Sequence, residues 1–397
     1  MNWDIIVIGA GASGLMAART AAKQGKHVLV LEQMDKCGKK ILATGNGKCN
    51  FTNAYMEQNA FFGRKALIEQ ILSHFTKEDC LSFFHEIGIY PKCKNGYYYP
   101  ASEQAASVVV AFENELNRLD VTIQCDVCVQ KIIPQKYGFE LKTNNGIFHG
   151  KKVIIACGLL ASPKLGSNGS LFDAIKGLGH RFVPILPVLC AFYAKGLPFK
   201  KISGVRANGT VQAVVNGQML KEDTGEIQFT DYGISGIPVF QISHCLSTAL
   251  YAKKKTQVCI NLLPDFTPEQ LMEELMFRNR LGGNLLNGLI NQKLGDAVLG
   301  NFKKTASGQY SKKELKEIAD CLQNIIVTIE KPRDFEFAQV CTGGISADEI
   351  ELSTLESKYI KNLYFAGEVL DADGICGGYN LHFAWGSGYL AAINASK

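Results

Sequence analysis

The feature that most restricts this chain is Gly9-x-Gly11-x-x-Gly14, set between an apolar run and a helical one. Asp4 to Ile8, "DIIVI", is almost wholly apolar, as expected of a parallel strand buried on both faces. "LMAARTAAKQG" has helical composition and ends at Gly25, a residue suited to a helix C-terminus. "HVLVLE" follows as a second strand ending at Glu32. Strand, glycine turn, helix, strand and acid thus fall in the register of a βαβ unit that binds a dinucleotide. Gly9 permits the tight turn. Gly11 lets the backbone approach a pyrophosphate at the positive end of the helix. Gly14 lets helix pack closely on strand. Glu32 stands where a carboxylate accepts from a ribose hydroxyl, and it would repel a 2′-phosphate, which argues against NADP at this first site.

The motif alone does not separate NAD from FAD. A second glycine-rich loop, "KCGKKILATGNGKCNFTN" (36–53), follows Glu32 where a simple NAD dehydrogenase would continue with its next helix. Its small residues let backbone amides approach a flat ring or phosphates, and Asn50, Thr52 and Asn53 add polar groups. The far end of the chain supplies a counterpart, "NLYFAGEVLDADGICGGYNLHFAWGSGYLAA" (362–392). It reads as a strand over 363–366, then Gly367-Glu368, a glycine-rich loop, and a helix starting near Asn380 or Leu381. That helix start would favour negative charge on a reduced flavin ring. Between the two ends, "KKVIIACG" (151–158) is a further buried strand ending in Gly158.

These motifs resemble those of the two-dinucleotide-binding-domain flavoproteins, and within them the bacterial BaiN-type family of FAD-dependent oxidoreductases. "GAGASG", "TGEIQFTDYGISGIPVFQIS" and "VCTGGIS" carry the resemblance with the two long loops, across nearly the whole chain. The resemblance implies FAD on the first fold. Gly9, Gly11, Ser13 and Gly14 would meet the pyrophosphate, Glu32 the adenosine ribose, the backbone near Val129 the adenine, and Glu368 the ribityl chain. Lys40, Asn50, Gly378, Tyr379, Asn380 and Leu381 would surround the flavin end, and Gly158 and Gly367 are counted with the cofactor site. The family commonly has Gly-Gly-Gly-Arg-Cys-Asn in the second loop. This chain has Gly45-Asn46-Gly47-Lys48-Cys49-Asn50, in which Asn46 tolerates left-handed backbone and Lys48 keeps charge without a planar fork.

The expected fold is α/β: a Rossmann-like FAD-binding domain from both chain ends (1–187 and 338–397), an inserted antiparallel β region (188–264 and 325–337) and a helical region (265–324). Leu189 to Ser243 alternates and carries Gly/Asn turns, which predicts several strands in a barrel or sandwich. Helical patterns over 267–279, 284–300 and 311–325 follow, the first with a capping box from Thr267 and Gln270.

Flavin chemistry needs orientation and electrostatics from the protein rather than a catalytic triad. Tyr379 and His382, after the Gly377-Gly378 turn, are the candidates for protonating a substrate, with a packing role for His382 as the alternative. Trp385 reads as core. Arg206 and Arg333 are candidates for holding an anionic substrate. Thirteen cysteines without repeating spacing read as reduced cytoplasmic thiols. The Cys125/Cys128 pair lies in a stretch that reads as a strand, where residues three apart face opposite ways. Cys49, Cys341 and Cys376, in three flavin-side motifs, read as small buried hydrophobes. No metal site is expected, and no run long enough to span a membrane is present.

No second GxGxxG is present, so NAD(P)H is expected as a transient electron donor at the flavin face. The resemblance implies reduction of an activated C=C bond in a 3-oxo-Δ4 or Δ6 bile acid or similar enone, by hydride transfer from flavin N5. A small, apolar substrate with no nucleic acid and no membrane partner goes with this reading. One alternative is an amine oxidase acting on an aminoacetone-like substrate and producing hydrogen peroxide. Another is a flavin-bearing RNA-modifying or RNA-binding protein, against which the scattered lysines and the lack of a basic C-terminal extension count.

Overall fold

The computed structural model describes residues 2–300, 302 and 309–397. Residues 301 and 303–308, inside the expected helical region, lie outside the described residues. The chain divides into two compact units, Met1–Pro187 with Gln339–Lys397, and Val188–Ala338.

The first unit is built on a sheet whose central strands are parallel. β1 (Asn2–Ile8) lies between β2 (Val28–Leu31) and the strand Gly146–Ile155, with Ile8 opposite both Leu31 and Ile155. Thr122–Gln124 extends the sheet beyond β2, and Leu363–Phe365 extends it on the other side in parallel with Gly146–Ile155. Leu363–Phe365 comes from the far end of the chain, so both ends of the chain contribute strands to the Rossmann-like sheet. A continuous apolar sequence in β1 matches this environment: Ile5, Ile6 and Val7 are buried, as in a central parallel strand covered on both faces. α1 (Ala12–Lys23) packs along the C-terminal helix Tyr379–Ala395. Gly388 makes that approach possible, since a Cβ there would lie 2.3 Å from the Ser13 carbonyl oxygen. Trp385 is fully buried, stacks on Phe112, meets Phe84 edge-on, and donates its indole N–H to the Phe51 carbonyl.

The second unit is a closed six-stranded barrel, in the order Phe192–Lys195, Gly233–Ser235, Gln218–Phe229, Arg206–Val215, Thr256–Asn261 and Ile325–Pro332. Arg206–Val215 and Gln218–Phe229 form a long antiparallel hairpin, and its inward residues Val211, Ala213, Ile227 and Phe229 alternate with less buried ones. The helices Pro268–Leu281, Gln292–Leu299 and Lys312–Gln323 fall in this same compact unit.

Three local expectations are corrected. Ile237–Ser243 is not strand but the start of the helix Ile237–Tyr251: Pro238 occupies its first turn, and Val239, Ile242 and Leu246 repeat at helical spacing on a buried face. Residues 284–291 are turns rather than helix, because Gly288 sits at φ +74° and Asn291 caps a helix beginning at Gln292. Cys125 to Cys128 is a connection between strands, with Asp126 in the left-handed region at φ 58°. The capping box of Thr267 and Gln270 is present.

Candidate active site

The glycine loop after β1 is held by its neighbours on every side but one. A Cβ on Gly14 would sit 1.8 Å from the Gly9 carbonyl oxygen, and one on Gly9 would sit 2.5 Å from the Ala156 carbonyl oxygen. Both positions therefore require glycine for packing within the protein. Gly11 differs, because a Cβ there would meet nothing within 4 Å. Gly11 precedes α1 and no side chain caps that helix, so its first amides are left without a side-chain partner. This is the arrangement that receives a pyrophosphate. Ser13 is buried in the first turn, and its hydroxyl donates to the Ala366 carbonyl at 3.4 Å.

Glu32, just past β2, is buried and accepts the Ala10 amide at 2.6 Å and the Met34 amide at 2.9 Å. Burial pushes its carboxyl above the usual range, and those two amides oppose the shift. Each carboxylate oxygen keeps a second lone pair, so a ribose hydroxyl can still donate to it. The backbone that follows is tied to this acid: the Val127 amide donates to the Glu32 carbonyl and the Asp126 amide to that of Met34. Val129 is buried in the next strand, Val129–Gln135.

The second loop folds as the short helix Lys39–Ala43 and a turn in which Gly45, Asn46 and Gly47 all have positive φ. Asn46 supplies the left-handed backbone that its residue type allows. Cys49 also has positive φ and is fully buried. Lys48 is an exposed partner of Glu103 at 2.8 Å. Lys40 pairs with Glu368 at 2.8 Å, and the other Glu368 oxygen accepts the Cys341 amide at 2.8 Å. Gly158 is adjacent, since its Cβ would lie 3.5 Å from Glu368. The Gly367 amide donates to Ser387 Oγ, and a Cβ on Gly367 would lie 2.3 Å from Ser13 Oγ. The structure thus joins the two chain ends through Lys40–Glu368 and Ser13–Gly367.

Gly378 caps the C-terminal helix in left-handed conformation, with Asn50 Oδ1 and the Thr52 carbonyl each 2.7 Å from the position of a Cβ. Asn50 Oδ1 is buried with no hydrogen-bond partner, an unmet acceptor beside that turn. Tyr379 is buried, donates its hydroxyl to the Tyr55 carbonyl at 3.1 Å, and meets Phe61 edge-on. Burial raises its phenol pKa, so the hydroxyl holds its proton at neutral pH. The Asn380 side chain is committed to both polar backbone groups of Gly374, each at 2.8 Å. Leu381 is half-buried on the following turn.

His382 is better explained by packing than by proton transfer. It is fully buried, with Nε2 3.0 Å from the Phe75 carbonyl and Nδ1 2.8 Å from Thr52 Oγ1. A carbonyl can only accept, so Nε2 carries the proton and Thr52 donates to Nδ1. Desolvation lowers its pKa to about 4. A neutral imidazole with both nitrogens engaged is a structural tie between the second loop and the C-terminal helix.

The thiols give a pairing that sequence spacing did not reveal. Cys125 interacts with Cys37, which the loop after β2 brings alongside the irregular stretch that holds Cys125. Burial pushes Cys37, Cys49 and Cys157 up to about 12 and raises Cys341 as well. Cys376 is half-buried. Arg206 pairs with Glu226 at 2.9 Å on the barrel surface. Among the described residues no group of three or more His, Cys, Asp or Glu is placed to hold a metal ion, and no helix is long and apolar enough to cross a membrane.

The bare amides before α1, the open space at Gly11 and the unmet acceptor of Asn50 fit a dinucleotide with a hydrogen-bonding ring. Comparison with known proteins agrees. Residues 3–394 match the family described as HI0933-like protein Rossmann domain. The chain is 39% identical to the 3-dehydro-bile acid delta(4,6)-reductase of Clostridium scindens, covering 98% of each chain. It is 31% identical to the ribosomal RNA dihydrouridine synthase of Haemophilus influenzae, covering 99% of this chain and 98% of that one. Among solved structures, a 3-ketosteroid delta1-dehydrogenase from Sterolibacterium denitrificans shares the fold at 12% identity, with a TM-score of 0.54 over 100% of this chain and 99% of that chain.

Proposed function

This chain belongs to the HI0933-like Rossmann family and is an FAD-dependent oxidoreductase, and we propose that it reduces a C=C bond conjugated to a carbonyl. The observation that carries this reading is full-length similarity to a reductase of that bond type, together with a first-unit site suited to a dinucleotide. FAD, when bound, supplies hydride chemistry at N5, with NAD(P)H as the proposed source of electrons.

The residues of the chain then divide the work. Gly11 and the first turn of α1 hold the pyrophosphate, and Ser13, Gly9 and Gly14 keep that turn in place. Glu32 accepts from the adenosine ribose, and the backbone near Val129 lies against the adenine. Glu368, fixed by Lys40 and the Cys341 amide, accepts from the ribityl chain. Asn50 Oδ1 accepts from the ring, and Gly378 keeps the space beside it free of a side chain. Leu381 and the amides of Tyr379 and Asn380 border the same turn. Tyr379 holds a proton at its hydroxyl, which makes it the proposed donor to the substrate carbon next to the carbonyl.

The first substrate reading is an enone of a 3-oxo steroid, as the name of the 39% relative describes for that protein. A second reading is uracil within ribosomal RNA, because the dihydrouridine synthase also aligns along the full chain. Both share one chemistry, since the reduced double bond is conjugated to a carbonyl in each case. The test is anaerobic titration of the yellow protein with NADH and NADPH, followed by 4-androstene-3,17-dione and, separately, by ribosomal RNA from cells lacking the gene. Bleaching by a nicotinamide and reoxidation by either acceptor, with the saturated product found by mass spectrometry, is the expected result. Flavin that neither nicotinamide bleaches, but that amines reduce with peroxide formed on aeration, would overturn it.

A further inference from the structure

The barrel unit carries an arginine whose surroundings are aromatic rather than acidic. The Arg333 guanidinium lies 3.7 Å from the ring centroid of Phe337, 4.6 Å from that of Tyr232 and 5.7 Å from that of Tyr193. Lys331 Nζ lies 4.7 Å from the same Tyr193 ring, and Tyr193 and Tyr232 pack together with centroids 5.0 Å apart. The backbone fixes the group, because the Arg333 amide donates to the Ala191 carbonyl at 2.8 Å. Its only side-chain hydrogen bond among the described residues is a long one, 3.4 Å from Nη1 to the Tyr193 hydroxyl. No carboxylate lies at ion-pair distance from Arg333 or Lys331 among the described residues. Arg206 and Lys195, on other barrel strands, each have one. Phe337 is 51% exposed, so the ring that stacks on Arg333 is also open to solvent.

Stacked rings orient a guanidinium while leaving its N–H edge free, and that edge matches a phosphate in bidentate geometry. Exposed aromatic faces beside such cations are the platform on which unpaired bases stack. We propose that Tyr193, Tyr232, Arg333 and Phe337, with Lys331 beside them, form a contact face for a single-stranded RNA segment. This rests on the reading of the enzyme as a reductase of carbonyl-conjugated C=C bonds and selects one of its two substrates. Asp231 and Asp334 adjoin Tyr232 and Arg333 in sequence, so the face is not a broad positive patch. Stacking therefore carries more of the affinity than charge does, and the salt dependence is shallow.

The test uses the full FAD-loaded chain and a fluorescein-labelled oligouridylate followed by fluorescence polarisation. Arg333→Ala, Arg333→Lys and Phe337→Ala are compared at equal flavin content, and each is also assayed for reduction of 4-androstene-3,17-dione. Loss of RNA affinity by about tenfold or more in the two alanine variants is expected, with Arg333→Lys in between and enone reduction unchanged. Wild-type protein that does not bind the RNA at low salt, or alanine variants that bind it as well as wild type, overturn the proposal. So does an Arg333→Ala variant that slows enone reduction as much as it weakens RNA binding, because the arginine would then serve the small-substrate site. If RNA binds through this face but reduced flavin turns over neither acceptor, the reductase reading fails and the contact face stands. If the enone is reduced and RNA is not bound, the reverse holds.

Discussion

Replacing His382 by glutamine separates a buried tie from a catalytic acid, and both stability and turnover report on it. The ring is fully buried and its pKa is lowered to about 4, against 6.5 in the unfolded chain. The unfolded state therefore binds the proton more readily between those two values. Stability is fully present above pH 6.5, falls as the pH drops toward 4, and levels off below it. Two and a half pKa units correspond to about 3 kcal/mol in full, of which about 2 kcal/mol is lost between pH 7 and pH 4.5. Glutamine keeps one donor and one acceptor but does not titrate. Urea unfolding of wild type and His382→Gln at pH 7 and pH 4.5 measures the difference between their pH dependences. The variant should be less stable at pH 7, by about 1–2 kcal/mol for imperfect hydrogen bonds, yet lose about 2 kcal/mol less on acidification. Its kcat should stay within a few-fold of wild type, whereas loss of a general acid costs about 10²–10⁴-fold. Parallel pH dependences for the two proteins, or a kcat fall of that catalytic size, would refute the assignment of His382 as a neutral structural residue.

Other outcomes follow from the same geometry. Gly14→Ala places a methyl 1.8 Å from the Gly9 carbonyl oxygen, so flavin content after purification, read as the ratio of flavin to protein absorbance, should fall about tenfold or more; normal content would show that the loop can open without cost. Glu368→Ala removes the group that joins Lys40 to the Cys341 amide and should weaken flavin retention by about 1–3 kcal/mol, measured by FAD titration of the apoprotein; unchanged affinity would remove Glu368 from the site. Tyr379→Phe should lower kcat by about 10²-fold with little effect on flavin reduction by NAD(P)H, and an unaltered kcat would exclude its hydroxyl as the proton donor. Iodoacetamide at pH 7.5 should label exposed Cys93 first and leave Cys37, Cys49 and Cys190, all buried and pushed to about 12, unmodified until unfolding; mass spectrometry that finds any of these three labelled as fast as Cys93 contradicts that burial.

The nucleotide end of the fold was legible because its determinants are local. Gly9 and Gly14 each answer to a steric demand of a strand–turn–helix unit, Gly11 leaves the space before the helix open, and the apolar run of β1 and the acid after β2 lie within the same stretch of chain. The closing strand at 363–365 and the helix after Gly378 were legible for the same reason, since each is marked by its own apolar run and glycines. Ile237–Ser243 misled because a short apolar run alternates and turns with equal ease, and the helix was decided by Pro238 and by burial against the barrel strands. Sequence order could not show which partners distant side chains would choose. Cys125 lies closer in sequence to Cys128 but interacts with Cys37, and His382 follows a glycine turn as a catalytic residue can, yet it is sealed between Thr52 and Phe75. Arg206 and Arg333 read alike as candidates for holding an anionic substrate, and only the tertiary structure gives the first a carboxylate and the second three aromatic rings. The chain's own sequence therefore determined the dinucleotide fold, because backbone sterics act between neighbours. Tertiary structure decided the state of each polar group, because burial and partner choice depend on residues brought together from far along the chain.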